Sequence, residues 1–272
     1  MKLMQTPSLS IAALQTSLHW EDQQKNLHHI NEKLRVFEEP CDVMILPEMF
    51  STGFSMSPEK FAEEPTGPTL QWMKELAAKK NYAVTGSFIV NDNGKYHNRL
   101  HWVNPDGTHQ HYDKRHLFRM AGEDRHYTAG NDKLIVEYKG WKICPLVCYD
   151  LRFPVWSRNK SVIREDKREY DYDLLIYVAN WPERRSYAWK TLLAARAIEN
   201  LSYVAGANRI GNDGNFIYHS GDSAIYNFRG EIITSALIST EEVIYTSISK
   251  QELDDFRKSF PAGADADDFE LK

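Results

Sequence analysis

KICPLVCYDLRFP, residues 142–154, holds two of the three cysteines in a 272-residue chain and turns sharply from apolar to polar at Tyr149-Asp150. The run before Cys148 reads as a strand buried on both faces, as in sheets flanked by helices. A pair of cysteines four apart could be a metal clip, two small core residues, or the seat of a nucleophile. Pro145 weakens a regular clip, and Cys144 reads as a small buried residue within the strand. Cys148 stands where the strand stops, and ligands of α/β sheets bind at that end. Its ordinary alternative is a buried free thiol, and that is the reading for Cys41 as well.

Outward from this stretch, strand and helix patterns alternate. LSIAALQT alternates apolar and polar residues as a strand does. WEDQQKNLHHINEKLRVFEE places Leu27, Ile30, Leu34 and Phe37 at helical spacing. CDVMILPE is a short apolar run ended by Pro47, and GPTLQWMKELAAKKN opens a helix at Pro68. YAVTGSFIV and YHNRLHWVNP form a hairpin about Asn93-Gly94. In the second half, KLIVEYKGWKICPLVCYD reads as two strands turning at Lys139-Gly140. DLLIYVAN precedes the helix RRSYAWKTLLAARAIEN, and LSYVAGANRI, SAIYNFRGEIITSA and EEVIYTSIS follow as strands before a last helix, KQELDDFRKSF. Helices interleaved with apolar strands and hairpins predict one layered α/β domain with mixed sheets.

A net charge of −5 argues against a nucleic-acid surface, and the basic run RNKSVIREDKRE is broken by acids as a solvated face is. Three cysteines cannot close a disulfide framework in a chain this long, which favours a reducing compartment. The N-terminal MKLMQTPSLSIAALQ lacks the apolar core of a secretory signal, and no stretch reaches membrane-spanning length. The expected location is the cytoplasm.

Two further residues join Cys148. Glu48 directly follows VMILP, where desolvation would make a carboxylate a stronger base. Lys114 lies in HYDKRHLF, between a strand and a loop. Taken alone, Glu48 could be a loop glutamate and Lys114 a surface charge. Together they make an acyl-transfer site: a thiol to attack a carbonyl, a carboxylate to take its proton, an ammonium to hold the oxyanion. Unperturbed Cys and Glu differ by about four pKa units, roughly 6 kcal/mol against the transfer. Desolvating the carboxylate and placing a lysine beside the thiol should each narrow that gap.

LPEMF around Glu48, DKRHLF around Lys114 and CYDLRFP from Cys148 stand in the order and approximate spacing of the nitrilase superfamily, which the chain resembles from about residue 9 to 250, leaving 251–272 as a C-terminal extension. CYDLRFPVWSRN with NWPERR is most similar to its omega-amidase branch. The resemblance implies a four-layer α-β-β-α sandwich, a homodimer paired through its helical layer, and carbon–nitrogen hydrolysis with neither metal nor organic cofactor. It assigns Cys148 as nucleophile, Glu48 as general base and Lys114 as oxyanion stabiliser. Glu123, in AGEDRHYTAG, matches a second glutamate that orients the lysine or assists proton traffic. The backbone N–H of Tyr149 would help hold the oxyanion. Asp222, in HSGDSAIYN, departs from the family's usual histidine, a change expected to affect loop packing.

The branch implies, as substrate, the terminal amide of a small dicarboxylic acid monoamide such as 2-oxoglutaramate or 2-oxosuccinamate. Trp181 and Phe118 are candidates for the substrate-binding walls, Trp181 being equally readable as packing beneath a loop. A substrate carboxylate needs a cationic or N–H-rich partner; Arg184 and Arg185 are available but are expected at the surface. The alternatives are another activity of the superfamily (nitrilase, aliphatic amidase or carbamoylase), a metal-dependent hydrolase and a non-catalytic scaffold. The metal reading draws on His97, His101, His109, His111, His116 and His126, yet no HExxH or CxxC accompanies them.

Overall fold

A computed structural model describes residues 7–164 and 167–271. The first half runs β1 (Ser8–Gln15), α1 (Gln23–Arg35), β2 (Val43–Ile45), α2 (Pro58–Phe61), α3 (Pro68–Lys80), β3 (Ala83–Asp92), β4 (Lys95–Val103), β5 (His109–Asp113) and a one-turn α4 (Glu123–His126). Next come β6 (Val136–Tyr138), β7 (Trp141–Val147), α5 (Pro154–Ser157), β8 (Ser161–Arg164), β9 (Lys167–Tyr170), β10 (Leu174–Ala179) and α6 (Ser186–Asn200). The chain closes with β11 (Tyr203–Asn208), β12 (Ile210–Asn212), β13 (Tyr218–Ser220), β14 (Ala224–Tyr226), β15 (Ile232–Ser235), β16 (Glu242–Ser249) and α7 (Lys250–Ser259).

These strands form two six-stranded mixed sheets, ordered β16-β1-β2-β3-β4-β5 and β15-β14-β11-β10-β7-β6. β1, β2 and β3 are parallel in one, and β7, β10 and β11 in the other, with antiparallel strands on either side. Ile11, Ile45 and Trp102 of the first sheet meet Ile143, Ile176 and Tyr203 of the second in the largest apolar cluster. The outer face of the first sheet packs Met44, Val84 and Phe88 against Ile30 and Leu34 of α1 and Met73 and Leu76 of α3. Trp189, Leu193 and Ala197 bring α6 onto the other sheet, completing the α-β-β-α sandwich.

Local chemistry explains the turns. Asn93 (φ 54°) and Gly94 (φ 78°) bend the β3–β4 hairpin, as Lys139 (φ 49°) and Gly140 (φ 79°) do at β6–β7. Asp22 caps α1 through the Lys25 N–H at 3.1 Å, and Asn81 ends α3 in the left-handed region. β1 differs from the expected half-buried strand. Ile11 to Gln15 are buried on both faces, because β1 is an interior strand with a helical layer on one side and the second sheet on the other. The basic stretch forms the β8–β9 hairpin with Val162 and Ile163 exposed; its positions 165 and 166 lie outside the described residues. Among the described residues no helix is long and apolar enough to cross a membrane.

Candidate active site

Glu48 follows β2, Lys114 follows β5, Cys148 follows β7 and Asn180 follows β10. All four are carboxyl ends of strands on one side of the sandwich, so both sheets deliver polar groups to one crevice. The Glu48 turn is fastened to β3: the Ser87 hydroxyl and carbonyl oxygens accept from the N–H groups of Met49 (2.9 Å) and Phe50 (3.1 Å). Met49 sits at φ 42°.

Glu48 and Glu123 are fully buried and Lys114 is nearly so. The Lys114 ammonium donates to Glu48 Oε1 (2.8 Å) and to Glu123 Oε1 (3.0 Å) and Oε2 (2.9 Å). Asn98 Nδ2 donates to both carboxylates, at 2.8 Å to Glu48 and 3.2 Å to Glu123. The Asn180 backbone N–H reaches Glu48 Oε2 at 2.8 Å, and its side-chain amide reaches the Glu48 carbonyl at 2.5 Å. The Phe118 N–H holds Glu123 Oε2 at 2.5 Å. Burial acts to lower Lys114, but the carboxylates of Glu123 and Glu48 outweigh it and keep the ammonium above the usual lysine range. Burial raises the Glu123 carboxyl, opposed by Lys114. Lys114 is therefore buried between two carboxylates that favour its ammonium form, and the surface reading that it invites in isolation does not hold.

Cys148 begins a 3₁₀ turn (Cys148–Arg152) at φ 43°, a conformation that costs a non-glycine residue about 1–3 kcal/mol. Asp150 holds this elbow. Its Oδ2 accepts from the Val147 N–H (3.0 Å) and the Tyr112 hydroxyl (2.8 Å), and its Oδ1 from the N–H (3.1 Å) and Nδ1 (2.8 Å) of His116. The thiol lies within the electrostatic reach of the Glu48 carboxylate, the Lys114 ammonium and the Asn180 backbone N–H. Burial and the charge of Glu48 push it well above the ordinary cysteine value, against the pull of Lys114. The lysine thus fails to bring the thiol down as expected from sequence, because two larger effects oppose it.

The thiol opens on a cavity of about 550 Å³ lined by Cys148, Tyr149, Lys114, Asn180, Trp181 and Phe118. Both aromatic candidates therefore face the cavity. Trp181 is also packed beneath its loop: 3% exposed, against Trp189 with ring centroids 5.5 Å apart, and tied in both directions to the Asn208 amide. Arg152, Arg184 and Arg185 line the same cavity; Arg184 is exposed there as expected, whereas Arg185 is half-buried, so the surface placement expected of Arg185 is corrected. A 3₁₀ turn, Glu183–Arg185, carries them to the rim, and the Trp181 indole N–H fixes the Arg185 carbonyl at 2.8 Å. Asn98, Asn180 and Asp150 are positioning groups to which sequence reasoning gave no role, although Asp150 stands within CYDLRFP and Asn180 opens NWPERR; Asn98, inside β4, carries no motif at all.

The histidines are dispersed. His101, His109 and His111 face one another across β4 and β5 with ring centroids 6.1 Å from His101, on the outer face where His101 stacks on Phe88. His116 pairs with Asp150, and His97 lies 3.5 Å from Asp113. Among the described residues no group of three or more His, Cys, Asp or Glu side chains is arranged to hold a metal ion. Asp222 accepts from the Ser220 hydroxyl at 2.6 Å and meets Lys190 at 3.4 Å, a loop-packing role.

Known proteins resemble this chain in sequence and in fold. The sequence profile described as Carbon-nitrogen hydrolase matches residues 10–258. The chain is 46% identical over 267 residues to Omega-amidase YafV of Escherichia coli (strain K12), covering 97% of this chain and 99% of that one. It is 29% identical over 255 residues to 2-oxoglutaramate amidase of Bacillus subtilis (strain 168), covering 93% and 95%. The crystal structure of XC1258 from Xanthomonas campestris, a CN-hydrolase superfamily protein with an arsenic adduct in its active site, superposes with a TM-score of 0.94 at 46% identity, over 98% of this chain and all of that one.

Proposed function

The chain belongs to the carbon–nitrogen hydrolase family, and we propose on that premise that it is an omega-amidase, releasing ammonia from the terminal amide of small dicarboxylic acid monoamides such as 2-oxoglutaramate or 2-oxosuccinamate. One observation carries the mechanism: a fully buried carboxylate, Glu48, is hydrogen-bonded to the Lys114 ammonium and acts electrostatically on the Cys148 thiol beside it. The resting thiol keeps its proton, so proton transfer to Glu48 accompanies attack on the amide carbon. The C–O π electrons move to oxygen, and that oxyanion is held by Lys114 and the Tyr149 N–H. Glu48 then returns its proton to the departing nitrogen, releasing ammonia and leaving a thioester. Water, deprotonated by the same carboxylate, cleaves the thioester to the acid and restores the thiol. Glu123 positions Lys114 from the far side, and Trp181 and Phe118 wall the substrate.

Ammonia release from succinamate, with the acyl-enzyme sought by rapid-quench mass spectrometry, tests this reading. Wild type should turn over the amide with ping-pong kinetics, and Cys148→Ala should lose several orders of magnitude. Full activity in that variant, or turnover confined to nitriles in a screen of small amides, nitriles and carbamoyl compounds, would overturn it. The same reading makes the enzyme a cytoplasmic homodimer joined through its helical layer. Tyr187 (83% exposed) and Ile198 (53% exposed), three helical turns apart on one face of α6, support the pairing.

A further inference from the structure

Three guanidinium groups line the cavity, and among the described residues none of Arg152, Arg184 and Arg185 has a carboxylate partner. The two acidic residues in the same lining are engaged elsewhere. Glu21 Oε1 accepts from the Ser55 hydroxyl at 2.5 Å, and Asp213 Oδ1 accepts from the N–H groups of Asn215 (2.8 Å) and Ile217 (2.9 Å). The cavity therefore carries surplus positive charge on one wall. A desolvated guanidinium without an anion is costly, and its planar fork matches a carboxylate bidentately.

The three arginines are not equivalent. Arg184 and Arg152 are exposed, whereas Arg185 is half-buried. The Arg185 guanidinium lies 5.1 Å over the Phe118 ring, and Arg152 lies 5.1 Å over Trp181. The two aromatic walls thus double as platforms that hold cations in place. The backbone of Arg185 is anchored by Trp181, and Phe118 is anchored by Glu123, so the Arg185–Phe118 stack is tied at both ends to the site's fixed parts. Burial, and then the neighbouring Arg184, lower the Arg185 guanidinium.

We infer that Arg185 receives the far carboxylate of the substrate and sets the preference for acidic over neutral amides, with the solvent-facing Arg152 adding only long-range attraction. This rests on the amidase reading and names the specificity-determining residue within it.

The test compares succinamate, which bears the carboxylate, with butyramide, which has the same length and lacks it. A charge-assisted bidentate contact corresponds to about a 10- to 100-fold effect. The ratio of kcat/KM for succinamate to that for butyramide should fall by this factor in Arg185→Gln, through KM, and recover in part in Arg185→Lys. Inhibition by succinate should weaken in parallel. If Arg185→Gln does not fold, the lysine variant alone should show a several-fold lower ratio. An unchanged ratio in the Arg185 variants, or a fall seen instead with Arg152→Gln or Arg184→Gln, would overturn the inference and leave the amidase reading standing. A wild type that hydrolyses neither amide removes both.

Discussion

A thiol held well above its ordinary range by burial and by Glu48 cannot rest as a thiolate at neutral pH. The rate of Cys148 alkylation by iodoacetamide should therefore climb about tenfold per pH unit from pH 6 to 9. A plateau below pH 8 would show that Lys114 dominates and that the enzyme stores a preformed thiolate. The convergence of Cys148, Glu48 and Lys114 on one crevice was legible in the sequence because three unlike residues stand at strand ends in a recognisable order. Asn98 was not. It sits within β4, where an asparagine carries no local signal, and its value comes from donating to two carboxylates 50 and 25 residues away in the chain. Arg185 was hidden for a different reason. Which way a side chain leaves a 3₁₀ turn depends on the indole bond from Trp181 and the stacking surface of Phe118, both set by tertiary packing.

Elements position this chemistry through their ends. β2 spans only three residues, yet it is paired on both edges and buried on both faces, so the turn after it is fixed. The β3–β4 and β6–β7 hairpins and the long helices followed from periodicity and turn residues and the layer order from the family resemblance, whereas the two-sided burial of β1 followed from neither, because alternation cannot register a second sheet. One element carries a defect that pH should reveal. His101 in β4 is almost fully buried, stacked on Phe88 at 4.6 Å, and neither ring nitrogen has a hydrogen-bond partner among the described residues. Burial drives it well below the ordinary histidine value, with His111, Arg99, His109 and Lys74 adding to the effect. A histidine whose folded pKa is depressed is neutral in both states above about pH 6.5, so it imposes no pH dependence there. As pH falls below that, the unfolded chain binds the extra proton and stability drops by up to about 1.4 kcal/mol per unit, until the folded value is reached. His219, lowered by burial to about 4, acts in the same direction. His101→Phe should keep the stack, remove an unsatisfied polar ring worth about 1–3 kcal/mol, and shrink the loss of Tm between pH 7 and pH 5. Calorimetry at both values decides this; an equal loss in variant and wild type would sink it.

At the scale of the whole molecule, the crevice exists only because two sheets present their carboxyl ends to each other. Glu48, Asn98 and Lys114 belong to the first sheet, Cys148 and Asn180 to the second, and the Glu48–Asn180 pair of bonds spans them. The proposed base and nucleophile are thus registered by packing between sheets, and the outer helices serve that packing. Here the proposed dimer has a mechanical consequence. α6 covers the outer face of the second sheet, and its own outer side exposes Tyr187 and Ile198. Covering that side with a second copy would bury apolar surface worth about 25 cal/mol per Å² and press α6 against β11 and β14. Wild type should then scatter light at twice the chain mass, and Ile198→Glu should halve that mass. Because the site residues lie within each chain, the monomeric variant should retain the fold, and its Tm should fall by several degrees. A wild type that is monomeric at micromolar concentration would show instead that the two-sheet interface alone keeps Glu48 against Cys148.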